Sequence, residues 1–221
     1  MAHFTQDFLD FFNDLAKHNN KEWFDANRKR YENSVKKPFA VFVDAVIARM
    51  REQDPAMDIT AKDAVARINR DIRFSPDKTP YNTHVGAFLS PAGRKDKTVP
   101  GGFVRIDSKK MLIAGGAYYP EKDQLQRIRA AIAADLAGFE KLLNEPDFKS
   151  RFGGLPGEKH KRVPPEFKEA AEKQPLIFNK QFHYFTEIDA RVILKPEVVD
   201  VVTAYFNAAG NMLAFLREAI G

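Results

Sequence analysis

The apolar residues of this chain change their period near residue 81, and that change limits the folds open to it. Before it, Phe8, Leu9, Phe12 and Leu15, then Phe39, Phe42, Val43, Val46, Ile47 and Met50, recur at helical spacing. After it, His84–Leu89, Gly102–Asp107 and Met111–Tyr118 are short, bounded by Gly or turn residues and rich in β-formers, which predicts an antiparallel meander. Gln181–Ile188 reads as a further strand of that sheet. Helical spacing returns at Leu125, Ile128 and Ile132 behind Pro120-Glu121, and across Ala137–Leu143. It returns again in a long stripe behind Pro196: Val198, Val202, Tyr205, Ala209, Met212 and Leu216. The expected fold is α+β, with an antiparallel sheet of about four to six strands covered by N- and C-terminal helices.

Local signals refine this outline. Thr5 stands where a first helix needs a cap, with Phe4 and Leu9 at the two positions of a hydrophobic staple. Lys17–Lys21 interrupts that helix, and Asn20 is the natural cap for a second one running through Trp23, Phe24, Asn27 and Tyr31. Trp23 reads as a core anchor. Pro38 interrupts or kinks the next helical run. Residues 146–174 are Gly/Pro-punctuated and basic, and read as a surface loop leading to a short helix.

Between the first helices and the meander lies RINRDIRFSPDKTPYNTHVG, Arg67 to Gly86, where cations, acids and turn formers are densest. Alternation puts Ala66, Ile68, Ile72 and Phe74 on one face, with Arg70 among them, and Arg67, Asn69, Asp71 and Arg73 on the other, as in a half-buried strand. A helix is the rival reading, since Thr60 and Asp63 form a capping-box pattern and Val65, Ile68 and Ile72 also fit helical spacing; a helical lead-in to a strand combines the two. Ser75-Pro76-Asp77 must turn, and the chain turns again before Pro80.

This segment resembles the signature of the DUF2461 family, in which an Arg-Asp-x-Arg-Phe run leads into Asp-Lys-x-Pro-Tyr. The resemblance extends to NNKEWFDANRKRY, GGAYYPEKDQLQRIRAAI, HKRVPPEF and PLIFNKQF, nearly the whole chain. It points to Arg67, Arg70, Asp71, Arg73, Phe74, Asp77, Lys78, Pro80 and Tyr81. The chain departs from the pattern at Asn82, where a second Lys is expected. The family has no assigned biochemical role, so the resemblance implies membership and no reaction.

Residues 61–110 hold eleven Lys/Arg against five Asp/Glu, which accounts for all of the formal +5 charge of the 221-residue chain. A local positive field of this kind favours an acidic or phosphate-bearing partner. Arginine forks bind carboxylate or phosphate through paired hydrogen bonds, and Lys78 adds a point charge, so Arg67, Arg70, Arg73 and Lys78 read as an anion site. The competing reading is a structural lattice in which Asp71 and Asp77 hold the arginines and position the turn. Tyr81 and His84 join Asp71 and Asp77 as acids and bases within the same window.

Several classes are excluded or disfavoured. The sequence contains no cysteine, so disulfides, thiol nucleophiles and Cys-ligated zinc are absent. His3, His18, His84, His160 and His183 lack His-Glu-x-x-His spacing, and neither a P-loop nor a Gly-x-Ser-x-Gly elbow occurs. No metal or cofactor is therefore expected. No apolar run approaches the ~20 residues of a membrane span and the first residues lack a signal-peptide pattern, so a single cytoplasmic domain over residues 1–221 is expected, with two joined lobes as the other arrangement. An interaction module using the basic loops Arg94–Lys97 and Lys159–Arg162 is the alternative function. Those loops contain no aromatic residue, which disfavours nucleic acid.

Overall fold

The computed structural model describes residues 2–221. These form two compact units: residues 2–95 with Phe103–Ile113 and Glu187–Thr203, and Asp96–Gly102 with Ala114–Thr186 and Ala204–Gly221. The single sheet is four-stranded and antiparallel, in the order β1 (His84–Leu89), β2 (Gly101–Asp107), β3 (Lys110–Ala117) and β4 (Phe182–Asp189). Each strand lies within about a residue of the span read from the sequence. The fold is therefore α+β, as expected.

In the first unit, helix Gln6–Lys17 buries Phe8, Leu9, Phe11, Phe12 and Leu15. Edge-to-face contacts link Phe4, Phe8 and Phe12, with ring centroids 4.8 and 5.4 Å apart. Thr5 occupies the cap position but its side chain accepts no capping hydrogen bond, whereas Asn20 does accept one from the Trp23 N–H at 2.9 Å. Trp23 is half-buried rather than a core anchor, lying 5.6 Å from Phe11 and stacked on His18. Arg30 reaches back to Asp7 at 2.8 Å and Asp14 at 2.9 Å.

Pro38 acts before its own position. Its ring would clash with the carbonyl four residues back and it lacks the N–H that carbonyl needs, and the chain widens into a π-helical stretch over Tyr31–Lys36. Regular helix resumes at Lys37–Arg51, which packs on β1.

The second unit is built on Phe139, Phe148, Phe152, Phe182 and Tyr184, with Ile128, Ile132, Met212 and Leu216. Pro146 opens a helix, Pro146–Phe152, inside what reads in sequence as loop; Pro suits the first helical turn, and Phe148 and Phe152 give the helix a buried face. The C-terminal stripe is likewise divided, into Val198–Ala208 and Gly210–Ile220, which meet at a 54° bend where Gly210 supplies a weak helix former. No single helix among the described residues is long and apolar enough to cross a membrane.

The main departure from expectation is at residues 66–74, which form no regular strand. Two isolated antiparallel bridges, Val65–Ala87 and Asn69–Tyr81, hold this stretch instead. Four residues separate the bridge positions on one side and six on the other, so the partner bulges and regular pairing fails. Beyond the Arg70 N–H bond to the Pro80 carbonyl, at 2.9 Å, Pro80 has no N–H to return and the ladder stops. Ile68 is buried, Ile72 half-buried, and Phe74 is 93% exposed, so the apolar alternation ends where the pairing does. The Thr60–Asp63 capping box is present and opens a one-turn helix, Ala61–Ala64.

Gly116 is where the sheet tolerates no side chain. Its φ is +102°, and a Cβ there would overlap the Phe182 carbonyl oxygen. Gly116→Ala is expected to lower stability by about 2 kcal/mol or more in urea denaturation. Gly153→Ala has a similar φ of +74° but nothing within 4 Å, and should show only the backbone strain, about 1–2 kcal/mol.

Candidate functional site

The loop from Arg70 to Pro80 is held from within. Arg70 Nη1 donates to Asp77 Oδ2 at 2.6 Å, to the Thr79 carbonyl at 3.0 Å and to the Thr79 hydroxyl, while Nη2 reaches Ser75 Oγ at 3.4 Å. Asp77 is occupied in turn by the Thr79 N–H at 2.9 Å. Its carboxyl is held below the usual range by that backbone bond first and by Arg70 second. The Lys78 ammonium donates to the Ile72 carbonyl at 2.9 Å, where a regular ladder would have used a backbone N–H.

The loop base is clasped to the helices. Asn19 accepts from the Tyr81 N–H at 3.1 Å and donates to the Tyr81 carbonyl at 2.8 Å, and the Tyr81 ring lies on Phe24 with centroids 4.0 Å apart and planes 16° off parallel. Burial raises the Tyr81 hydroxyl above its ordinary value of 10.0, with Asp25 acting in the same direction.

The sequence-predicted residues thus divide. Arg70 and Tyr81 face inward, and Asp77 and Lys78, themselves exposed, are bonded within the loop and position it. Arg73 lies outside, paired to Asp71 through Nε–Oδ1 at 3.0 Å and Nη2–Oδ2 at 2.7 Å, and that pair keeps Asp71 below the usual carboxylate range. Phe74 projects beside it, with the Arg73 guanidinium 5.8 Å from the ring centroid. The exposed Arg67 guanidinium makes no hydrogen bond or ion pair among the described residues. Asn82, at the position where the family pattern carries Lys, reaches only the Arg67 carbonyl at 3.5 Å.

His84 belongs to other surroundings. It sits half-buried on β1, and its electrostatic neighbours are Arg105 and Asp107. Asn19, Ser75 and Thr79 were not identified from the sequence. The doubled Asn in KHNNK was the available signal for Asn19, since one of the pair serves as the helix cap. Among the described residues no group of His, Asp and Glu is arranged to hold a metal ion.

Two outcomes follow from this division. Arg70→Ala should destabilise the protein by about 1 kcal/mol or more, because it removes the donor that serves the part-buried Thr79 carbonyl, and should speed amide exchange at Thr79. Arg73→Ala should leave the denaturation midpoint unchanged, since its pair is solvent-exposed. Equal losses in both variants would contradict the inward–outward division.

The second outcome concerns pH. His84 is held below its ordinary value of 6.5 by burial, then by the Arg105 charge, with Asp107 opposing. The unfolded chain therefore binds the proton more readily, and stability is complete above 6.5 and falls as pH drops through 6.5 towards the folded value. Between about pH 7.5 and 5.5, His84→Gln should lose less stability than the wild type in urea denaturation. An imidazole titration by NMR at or above 6.5 would contradict the assignment.

No curated protein matches the chain. The profile of the family described as a conserved hypothetical protein, DUF2461, matches residues 7–215, a span that contains most of both units' cores and the whole basic loop. The chain belongs to the DUF2461 family.

Proposed function

We propose that this protein binds a small phosphate- or carboxylate-bearing ligand at the outer edge of the 67–81 loop. Arg67 and Arg73 are the charged contacts and Phe74 the apolar one. The observation that carries the reading is Phe74: it is 93% exposed on a loop whose other side chains fix its backbone, and the Arg73 guanidinium stands beside it. A large apolar side chain held in water next to cations is the arrangement of a recognition contact.

In the free protein Asp71 occupies the Arg73 fork, so a ligand must compete with it. The pair is solvent-exposed and weak, and exchange for a ligand carboxylate or phosphate is inexpensive. Arg70, Asp77 and Lys78 act as positioning residues. No chemical step is assigned to Tyr81, buried against Phe24, or to His84, which lies against Arg105 and Asp107. The same proposal places the protein in the cytoplasm, since a chain without cysteine has no use for an oxidising compartment.

An NMR titration with inorganic phosphate, following arginine Nε–Hε signals, tests the site. Saturable shifts at Arg67 and Arg73, lost in Arg67→Ala, are expected. Shifts spread over all arginines, or shifts that survive in Arg67→Ala and Arg73→Ala, would remove the proposal in favour of a purely structural ion-pair lattice.

A further inference from the structure

Five large apolar side chains stand exposed among the described residues, and three of them, Tyr118 at 46%, Tyr119 at 53% and Phe185 at 43%, gather in the second unit. Tyr118 and Tyr119 follow the end of β3, and Phe185 and His183 share one face of β4, two residues apart. The rings form a continuous string. Tyr119 meets Tyr118 edge-on with centroids 4.6 Å apart, Tyr118 meets His183 edge-on at 4.9 Å, and His183 lies 11° from parallel to Phe185 at 6.2 Å. His183 Nδ1 is buried and has no hydrogen-bond partner.

Cations flank the string on two sides. Lys97 Nζ lies 6.0 Å from the Tyr119 ring centroid. At the other end, a Cβ on Gly157 would stand 3.6 Å from His183 Cε1, so the segment beginning at Gly157 passes directly beside the imidazole. That segment carries Lys159, His160, Lys161 and Arg162, all exposed. It is fixed by a short antiparallel ribbon: His160 N–H to the Phe178 carbonyl at 2.7 Å and Lys180 N–H to the Glu158 carbonyl at 2.8 Å. Glu158 is paired to Lys180 at 2.8 Å, while the side chains of Lys159, Lys161 and Arg162 make no hydrogen bond or ion pair among the described residues.

We propose that this surface binds single-stranded nucleic acid, with bases stacked on Tyr118, Tyr119, His183 and Phe185 and phosphates met by Lys97, Lys159, Lys161 and Arg162. Unpaired bases offer π-faces to aromatic rings and their backbone supplies negative charges, which is the complement of an aromatic string with Lys97 at its Tyr119 end and a basic segment running from beside His183. A duplex hides its bases and a neutral sugar has no use for the cations. Lys159 lies in a hydrogen-bonded ribbon, His183 and Phe185 stand on β4, and Tyr118 and Tyr119 follow directly on β3, so the platform exists before any ligand arrives.

The test is fluorescence anisotropy of a labelled oligothymidylate of about fifteen nucleotides. Wild type should bind it more tightly than a duplex of equal length, and affinity should fall between about 50 and 200 mM salt. Tyr118→Ala and Phe185→Ala should each weaken binding about fivefold or more, and the double variant Lys161→Ala/Arg162→Ala should flatten the salt dependence. These side chains are exposed, and unchanged thermal melts verify that the fold survives; should one variant unfold, Tyr119→Ala tests the same stacking. No binding by wild type at about 100 μM protein, equal binding of duplex, or aromatic variants that bind as wild type would each overturn the proposal. Arg67→Ala should leave oligonucleotide binding unchanged, so this result and that of the phosphate titration stand or fall separately.

Discussion

Unsatisfied backbone carbonyls are the constraint to which much of this structure answers. The chain has thirteen prolines, none able to donate a backbone hydrogen bond, and long irregular connections in which no ladder supplies N–H groups. Side-chain cations take over. Arg51 serves the carbonyls of Met57 and Ile59, both at 3.0 Å, Arg70 that of Thr79, Lys78 that of Ile72, and Arg94 that of Val65 at 3.2 Å. In the second unit Arg217 serves Pro100 at 2.9 Å. The basic excess of residues 61–110 is therefore in part architectural, and the charge total alone does not identify a ligand site.

Arg129 is the extreme case. It is 4% exposed, and burial lowers the affinity of its guanidinium for the proton, yet its acceptors are the carbonyls of Ile177 at 2.9 Å and Asn179 at 3.3 Å with the Gln126 amide at 3.4 Å. Residues 178 and 180 pair on their other edge with 158–160, so Arg129 caps the edge that would otherwise be left open. A buried cation satisfied by neutral carbonyls avoids the stranded-partner problem of a buried ion pair, and it stiffens the ribbon that carries Lys159 to Arg162.

The strands were legible because alternation and glycine boundaries are local signals. β1 was read without error from HVGAFL, and the Asn20 cap and the Thr60–Asp63 box were equally local. Residues 66–74 misled for a physical reason: their alternation is strand-like, but pairing is decided by the partner, and Pro80 together with the bulge over 82–86 withholds it. The C-terminal stripe was read as one helix because its apolar spacing continues across Gly210, whereas the backbone bends there. Arg70 meets Asp77, seven residues on, because the turn brings the chain back.

The aromatic string was illegible for the opposite reason. The basic loops were judged poor in aromatics because their own residues are, and sequence distance hid that Tyr118 follows the end of β3 while Phe185 stands on β4, the strand paired beside it. Its parts come from three separate stretches, around residues 97, 118 and 183, plus the Gly157 turn, which no periodicity connects. The same separation applies to the clasp of Asn19 on Tyr81, sixty-two residues apart. In both units the elements themselves follow from local pattern, while the surfaces that present side chains to a partner arise from which carbonyls and strand edges the chain leaves open. A cation already bonded to a carbonyl is part of the scaffold; Arg67, Lys159, Lys161 and Arg162 have no such duty and are available to a partner outside the chain.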